Sequence, residues 1–345
     1  MVDVQLLNRL SALAARKRWV IGLAVGPRCE SLRAALVGAE GKGLAGRVEV
    51  HAADRLTLPR EIMRLFRQLR HNRAKSAADL PLLAAQLAES QALLLDSFAA
   101  RIAPVWDRVL AVAVDDPGLW RRAAGWTAYM GLCDTARLAE LSGLNVIDGF
   151  PARDLAQEGH GRPLLPIPQW ILVHDAEKAR ALVTLGRATR LTYLPGSRDT
   201  SGASRVRSFR IKARPKEPDD RFAQAVADGI ATQFPTLPLV EEIVFSGPPE
   251  RCCAVEAQLA ALVPSARVVN STELGIPSGA LRPAGVAVLG LLFLDQVPGN
   301  ATAITGARTP RVLGRLTPGS LQSYHRLLRE LATAKPSVIA LRSAV

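Results

Sequence analysis

The sequence is poor in cysteine, in aromatic side chains and in lysine, and it has no long apolar run. Its four cysteines, Cys29, Cys133 and the adjacent Cys252 and Cys253, show no Cys-x-x-Cys spacing. Neighbouring cysteines rarely bond to each other, so neither a disulfide framework nor a zinc site is expected, and free thiols in a reducing compartment fit better. The longest apolar stretch, Val286 to Leu294, stops at Asp295, well short of the ~20 residues that span a bilayer. The run Arg16 to Gly26 has the outline of a signal peptide, but Pro27 and Arg28 follow it where small residues of a cleavage site would be needed. It reads instead as a first β-strand, and a cytoplasmic location away from membranes is expected.

Only seven of the 44 cations are lysine, and the net charge is +13. An Arg-rich balance spread through an Ala- and Leu-rich chain reflects base composition more readily than a nucleic-acid surface. At 48% hydrophobic residues the chain can bury a core, which excludes intrinsic disorder. Its 345 residues suggest two domains.

Strands and helices alternate. Trp19 to Val25, Ser31 to Val37 and Arg47 to Ala52 read as three strands in a meander, with Gly38, Gly41 and Gly43 in one turn. Thr57 is expected to cap a helix that has Pro59 in its first turn, buries Ile62, Phe66 and Leu69, and wets Arg60, Arg64, Arg67 and Arg70. A second helix from Asp79 carries Leu83, Leu87, Leu94 and Phe98. Then come a strand Val109 to Val114, a turn at Asp115 to Gly118, a helix Thr135 to Ser142 stopped by Gly143, a strand Asn145 to Phe150, and a loop Glu158 to Pro168.

The second half repeats the order. Strands lie at Ala181 to Leu185, Arg190 to Leu194 and Val206 to Ala213, followed by a helix Asp219 to Phe234 and a strand Glu242 to Phe245. Helix Pro249 to Leu262, strand Arg267 to Asn270, helix Ala284 to Asp295 and a closing helix Pro318 to Thr333 complete it. Three strands followed by alternating helices and strands, once in each half, predict two α/β domains, each a mixed β-sheet flanked by helices, with a site in the cleft between them. The expected boundaries are 1–175, 176–317 and a final helical segment 318–345 that packs back on the first domain.

Three collinear stretches resemble a known family. Gly131 to Asp154, with Gly159-His160-Gly161-Arg162-Pro163-Leu164 after it, is similar to the Asp-Phe-Arg and Gly-Gly-Gln-Gly segment of the anhydro-N-acetylmuramic acid kinases. Thr305-Gly306-Ala307 and Val312-Leu313-Gly314, preceded by Pro298 and Asn300, resemble that family's closing segment. Ile21 to Gly26 with Ala34 to Val37 has the frame of its opening. The resemblance implies the fold of the acetate and sugar kinases, heat-shock proteins and actin. It also implies ATP and Mg²⁺ as cofactors, and a water activated by a carboxylate to open the anhydro ring as the 6-phosphate forms.

The departures from the family concentrate on the phosphates. Gly26 is the one glycine left of the first phosphate turn, where Pro27 removes an N–H donor and Arg28 adds bulk. Gly186, beside Arg187, is the one left of the second, and Gly247 with Pro248 and Pro249 stands for the adenosine-side triple glycine. A later phosphate turn is replaced by Phe209 to Lys212. The family's catalytic aspartate aligns with Gly149. Asp148 is one residue earlier, on the opposite face of a strand, and Asp154 keeps a family carboxylate position, so these two are the candidate bases. A family acidic residue falls at Arg282 or Pro283. Gly159, His160 and Gly161 are the sugar-loop candidates.

The resulting expectation is a retained fold with weak or absent catalysis and a sugar, nucleotide or regulatory role. The alternatives are an active ATP-dependent sugar kinase and a basic scaffold or nucleic-acid-binding protein. The expected partner is a sugar or nucleotide in the cleft; a homodimer is compatible with this, and no metal site is assigned. Arg187 to Lys216 holds nine cations against Asp199. A charge-blunted hairpin edge is favoured over a phosphate or nucleic-acid surface, since only Tyr193 and Phe209 could stack on bases. Cys252 and Cys253 are expected in a core, and Asp115 to Gly118 as a turn cap.

Overall fold

The computed structural model describes residues 3–14, 16–74, 76–123, 125–185, 189–196, 200–212, 217–235, 239–247 and 249–332. Its strands are β1 (Arg18–Val25), β2 (Ser31–Glu40), β3 (Arg47–Thr57), β4 (Val109–Asp115), β5 (Leu119–Ala123), β6 (Trp126–Met130), β7 (Val146–Asp148), β8 (Arg180–Thr184), β9 (Arg190–Leu194), β10 (Arg207–Arg210), β11 (Glu242–Ser246), β12 (Arg267–Asn270) and β13 (Arg315–Thr317).

Two compact units emerge, one of residues 1–165 with 282–345 and the other of 166–281. The expected boundaries at 175 and 317 differ from these, because the helix Leu281–Leu294 belongs with the first sheet. A Cβ on Gly22 of β1 would lie 1.9 Å from the Pro283 carbonyl oxygen, and one on Gly290 would lie 2.9 Å from the Ala113 Cβ of β4. The closing helix Leu321–Ala332 also belongs to this unit: Asn145 Nδ2 donates to the Ser323 carbonyl at 3.2 Å.

The first unit is built on a six-stranded sheet in the order β13-β7-β4-β1-β2-β3. β1 to β3 form the antiparallel meander, while β1, β4 and β7 run parallel. β1 and β4 are apolar and buried almost throughout, as strands covered on both faces must be. The helix Asp79–Arg101 buries Leu83, Leu87, Leu94 and Phe98 in the same core. The second unit carries a five-stranded sheet, β10-β9-β8-β11-β12. Here β8 to β10 are antiparallel and β8, β11 and β12 parallel. Five consecutive strands of the first sheet, from β3 to β7, thus have the same order and directions as the whole of the second.

Several local expectations give way. β3 continues through Thr57, so the residue before the helix Arg60–Arg70 is Pro59, with no side-chain cap. The strand expected over Asn145 to Phe150 ends at Asp148, because Gly149 is left-handed (φ 67°) and starts the helix Phe150–Leu155. The loop Glu158 to Pro168 ends early, since Pro166 opens the helix Pro166–Val173. The hairpin β5–β6 was not foreseen. Its strands are five residues each and carry too little apolar alternation to read as strands. Of the expected strand Val206 to Ala213, only Arg207–Arg210 forms, and Ala213 lies outside the described residues. Cys252 is buried, but Cys253 on the same helix is exposed.

Candidate active site

The candidate site lies at the C-terminal ends of β1, β4 and β7, all in the first unit. After β1 the chain turns through Gly26 to Glu30 into β2, where a phosphate-binding turn needs free backbone N–H groups. Here none is free. Gly26 N–H donates to the Ser31 carbonyl at 2.7 Å, and Cys29 N–H donates to the Gly26 carbonyl at 2.9 Å. Pro27 has no N–H, and Arg28 N–H donates to Glu30 Oε2 at 2.7 Å. The Glu30 carboxylate covers Gly26 so closely that a Cβ there would meet both its oxygens at 2.8 Å. An internal carboxylate thus lies directly over the turn.

At the end of β4, Asp115 Oδ2 accepts from Arg282 Nε at 3.1 Å and Nη2 at 2.6 Å. Arg282, standing where the resemblance places an acidic residue, is thus matched by an acid on β4. Asp116 is only 3% exposed. It caps the turn as expected, accepting from Gly118 N–H at 2.7 Å, and also from Leu132 N–H at 2.9 Å and Cys133 N–H at 3.1 Å. It therefore closes the base of the β5–β6 hairpin.

Burial pushes the Asp116 carboxyl up to about 6, the Leu132 and Gly118 N–H groups opposing and Asp115 adding to the rise. The folded chain keeps this proton up to about pH 6, whereas an unperturbed aspartate releases it near 3.8. The fold therefore holds more protons within that window, and this contribution to stability falls as pH rises through it. An Asp116→Asn variant lacks that slope. Its unfolding free energy relative to wild type should climb by on the order of 1–3 kcal/mol from the acid to the neutral end of the window. Urea denaturation at several pH values measures this, and parallel profiles for the two proteins would refute it.

The two candidate bases are both occupied. Asp148, 1% exposed, is the register partner of Arg315 on β13. It receives a bidentate pair from Arg315 Nε at 2.8 Å and Nη2 at 2.9 Å, and that hydrogen bond and charge raise the guanidinium's hold on its own proton. Arg315 also lies beside Gly149, with Nε 3.5 Å from where a Cβ would stand. Asp154 is fully buried. Its Oδ2 accepts from Gly161 N–H at 2.8 Å and its Oδ1 from Asn300 Nδ2 at 2.7 Å. Asn300 Oδ1 in turn accepts from Arg311 N–H at 2.7 Å. Gly159 makes room for this carboxylate, since a Cβ there would be 2.2 Å from Oδ2. Asp154 holds the loop 159–161 to the segment 300–311.

The sugar-loop candidates are together. His160 N–H donates to the Thr305 carbonyl at 2.7 Å, joining the two resemblance segments. The exposed His160 ring, with Trp120, Arg121, Arg122, Thr127 and Arg162, lines a pocket of about 220 Å³ that contains no acid. The Arg162 guanidinium lies over the Trp120 ring at 4.5 Å, and Trp120 packs on Tyr129 with centroids 4.6 Å apart. The hairpin and Arg162 were missed from the sequence, although Arg162 directly follows the candidate loop.

The remaining candidates lie in the second unit. Gly247 follows β11 and packs against Leu185 and Phe245, while Gly186 and Arg187 fall outside the described residues. Of the nine cations in the basic segment, Arg187, Arg198, Arg214 and Lys216 are also outside them. Arg190 and Arg210 face each other across the β9–β10 pair, and β10 is the sheet's edge strand.

Two units, each holding one meander followed by parallel strands in the same order, define a duplicated α/β fold of the sugar-kinase and actin class. A family model for anhydro-N-acetylmuramic acid kinase matches residues 18–203 and 209–319, and the chain belongs to that family. Relatives named anhydro-N-acetylmuramic acid kinase include that of Pseudomonas paraeruginosa, 28% identical over 57% of this chain and 71% of its own. That of Gloeobacter violaceus is 27% identical over 57% and 70%, and that of Salinibacter ruber 29% over 64% and 60%. Among solved structures, an inorganic polyphosphate/ATP-glucomannokinase from Arthrobacter sp. strain KM aligns at TM-score 0.35 and 16% identity, over 78% of this chain and 97% of its own. A ROK family protein from Streptococcus pneumoniae TIGR4 in complex with sucrose aligns at TM-score 0.37 and 9% identity, over 79% and 98%.

Proposed function

We propose that this family member binds an acidic sugar at the pocket beside His160 and does not transfer a phosphoryl group to it at a useful rate. The observation that carries the reading is the closed turn after β1. Every N–H from Gly26 to Cys29 has an internal acceptor, and the Glu30 carboxylate stands at its mouth. That arrangement does not fit the phosphates of ATP, so no step is derived through the nucleotide. Among the described residues, no group of three or more His, Cys, Asp and Glu is placed to hold a metal ion.

The missing base supports the same conclusion. Gly149 has no side chain, Asp148 is held by Arg315, and both Asp154 oxygens are occupied in the interior. A positioned base is worth about 10²–10⁴ in rate, and a preorganised donor to developing charge about 10²–10³. Losing both lowers turnover by roughly 10⁴-fold or more. The pocket offers the Arg121 and Arg122 guanidinia for a carboxylate, while Arg162 covers the Trp120 ring and donates to the Asp116 and Pro117 carbonyls.

Calorimetry on the purified protein tests this with 1,6-anhydro-N-acetylmuramic acid and Mg–ATP, added separately and together, while ADP is assayed. Heat from the sugar, none from millimolar Mg–ATP and no ADP are expected. ADP release by the wild-type protein would overturn the reading and restore the active kinase. No heat from either compound would leave the basic scaffold.

A further inference from the structure

The other end of the first sheet carries a second pocket, with a different chemistry. β1 and β4 are parallel, and the candidate active site sits beyond their C-terminal ends. This pocket opens at their N-terminal ends, beside Arg18 and Leu110, a strand length or roughly 20–25 Å away. It has a volume of about 450 Å³, within the range of small-molecule sites. Gln322, Arg326 and Arg329 of the closing helix line it at helical spacing, opposite Lys17, Arg18 and Arg108.

The pocket is lined by five cations and by two acids, Asp107 and Glu330. Two of the cations are committed elsewhere. Lys17 Nζ donates to Glu49 Oε2 at 2.6 Å, and Arg18 binds Asp295 through Nη1 at 2.6 Å and Nη2 at 3.1 Å. Among the described residues, the other three form no ion pair with a carboxylate, Asp107 acting on Arg326 only through its charge. Arg326 Nη1 donates to the Val109 carbonyl at 3.0 Å, and Arg329 Nε reaches only the His325 carbonyl at 3.4 Å. Arg108 is exposed beside them. Burial makes the Arg326 guanidinium hold its proton less tightly, Asp107 opposes this, and the charges of Arg329 and Arg108 add to it. Arg326 is therefore repelled by both Arg329 and Arg108.

We propose that this pocket binds a small multivalent phosphate anion, held by Arg108, Arg326 and Arg329. Guanidinium forks pair with phosphate oxygens two at a time, and one anion of two or more charges set among the three cations relieves both repulsions on Arg326. Gln322 supplies a neutral donor beside them. Three cations gathered at one pocket favour a small ligand over a nucleic-acid backbone, which needs a charged stripe.

The test is thermal melting of the full chain with pyrophosphate, and separately with ADP, each against sodium chloride of equal ionic strength. Pyrophosphate should raise the melting temperature of wild type, because a ligand that binds only the folded state stabilises it. The double variant Arg108→Gln, Arg329→Gln removes two exposed side chains and leaves the Arg326–Val109 contact in place. It should keep its circular dichroism and bind pyrophosphate about tenfold or more weakly. Stabilisation by ADP as well, lost in the same variant, would identify the phosphate as one carried on a nucleotide; stabilisation by pyrophosphate alone would identify a free one. No shift with pyrophosphate, an equal shift in the variant, or stabilisation by duplex DNA but not by pyrophosphate would each overturn the proposal.

Discussion

Gly22→Val should abolish the soluble folded protein, and Gly22→Ala should cost about 3 kcal/mol or more. Gly22 lies in the middle of β1, where the start of the helix Leu281–Leu294 crosses the sheet. An added Cβ would stand 1.9 Å from the Pro283 carbonyl oxygen and 2.6 Å from the Ala287 nitrogen. Both are backbone atoms of the helix, and helix and strand are each packed on their other sides, so the contact can be relieved only by separating the two elements. Gly290 on the same helix is the control. Its Cβ would meet the side-chain atoms Ala113 Cβ at 2.9 Å and Val20 Cγ1 at 3.4 Å. Ala113 Cβ is fixed to its strand and would have to shift, but the overlap is smaller than at Gly22, and alanine improves helix propensity by about 1 kcal/mol over glycine. Gly290→Ala should therefore cost clearly less than Gly22→Ala. Urea midpoints of the two alanine variants decide the matter, and equal losses would disprove the close crossing.

The second large effect is expected at Asp154, and its sign bears on function. Asp154→Ala should destabilise the chain by about 3–5 kcal/mol, because it removes a buried charged acceptor and leaves the Gly161 N–H and the Asn300 amide without partners. Asp154→Asn keeps one acceptor but sets an amide NH₂ against a donor, and about 2 kcal/mol should be lost. A catalytic carboxylate behaves differently. It is often held in an unfavourable setting for the sake of the reaction, so neutralising it leaves stability unchanged or raised. A stabilised Asp154→Asn protein would therefore return this residue to the candidate bases. The loss expected here marks it as the tie between the loop 159–161 and the segment 300–311.

The same residue shows how far the sequence could be read. Its position in the family pattern was legible, because Gly159, Gly161 and Pro163 follow at the family's spacing. Its partner was not. Asn300 lies 146 residues away, and its amide reaches Asp154 only once both segments are folded into the first unit. Asp148 and Gly149 are parallel cases. The strand pattern put Asp148 on the face opposite Gly149, but nothing in a local window pairs it with Arg315, 167 residues on. Arg282 and Asp115 are equally distant in the chain. Glu30 is a different kind of miss. It is four residues from Gly26, and only the fold of the turn brings its carboxylate back over that glycine.

The sequence by itself determined most of the elements, the duplicated order of strands and helices, and the family. These follow from apolar periodicity and from short motifs whose spacing is local, and both survive any change in partners. The tertiary structure alone decided which polar groups are spent. Whether an N–H, a carboxylate or a guanidinium is available for chemistry depends on burial and on a partner within hydrogen-bonding distance, and most such partners here are far apart in the chain. The closed turn at Gly26, the two arginine-held aspartates and the unmatched cations at the other end of the sheet are all of that kind.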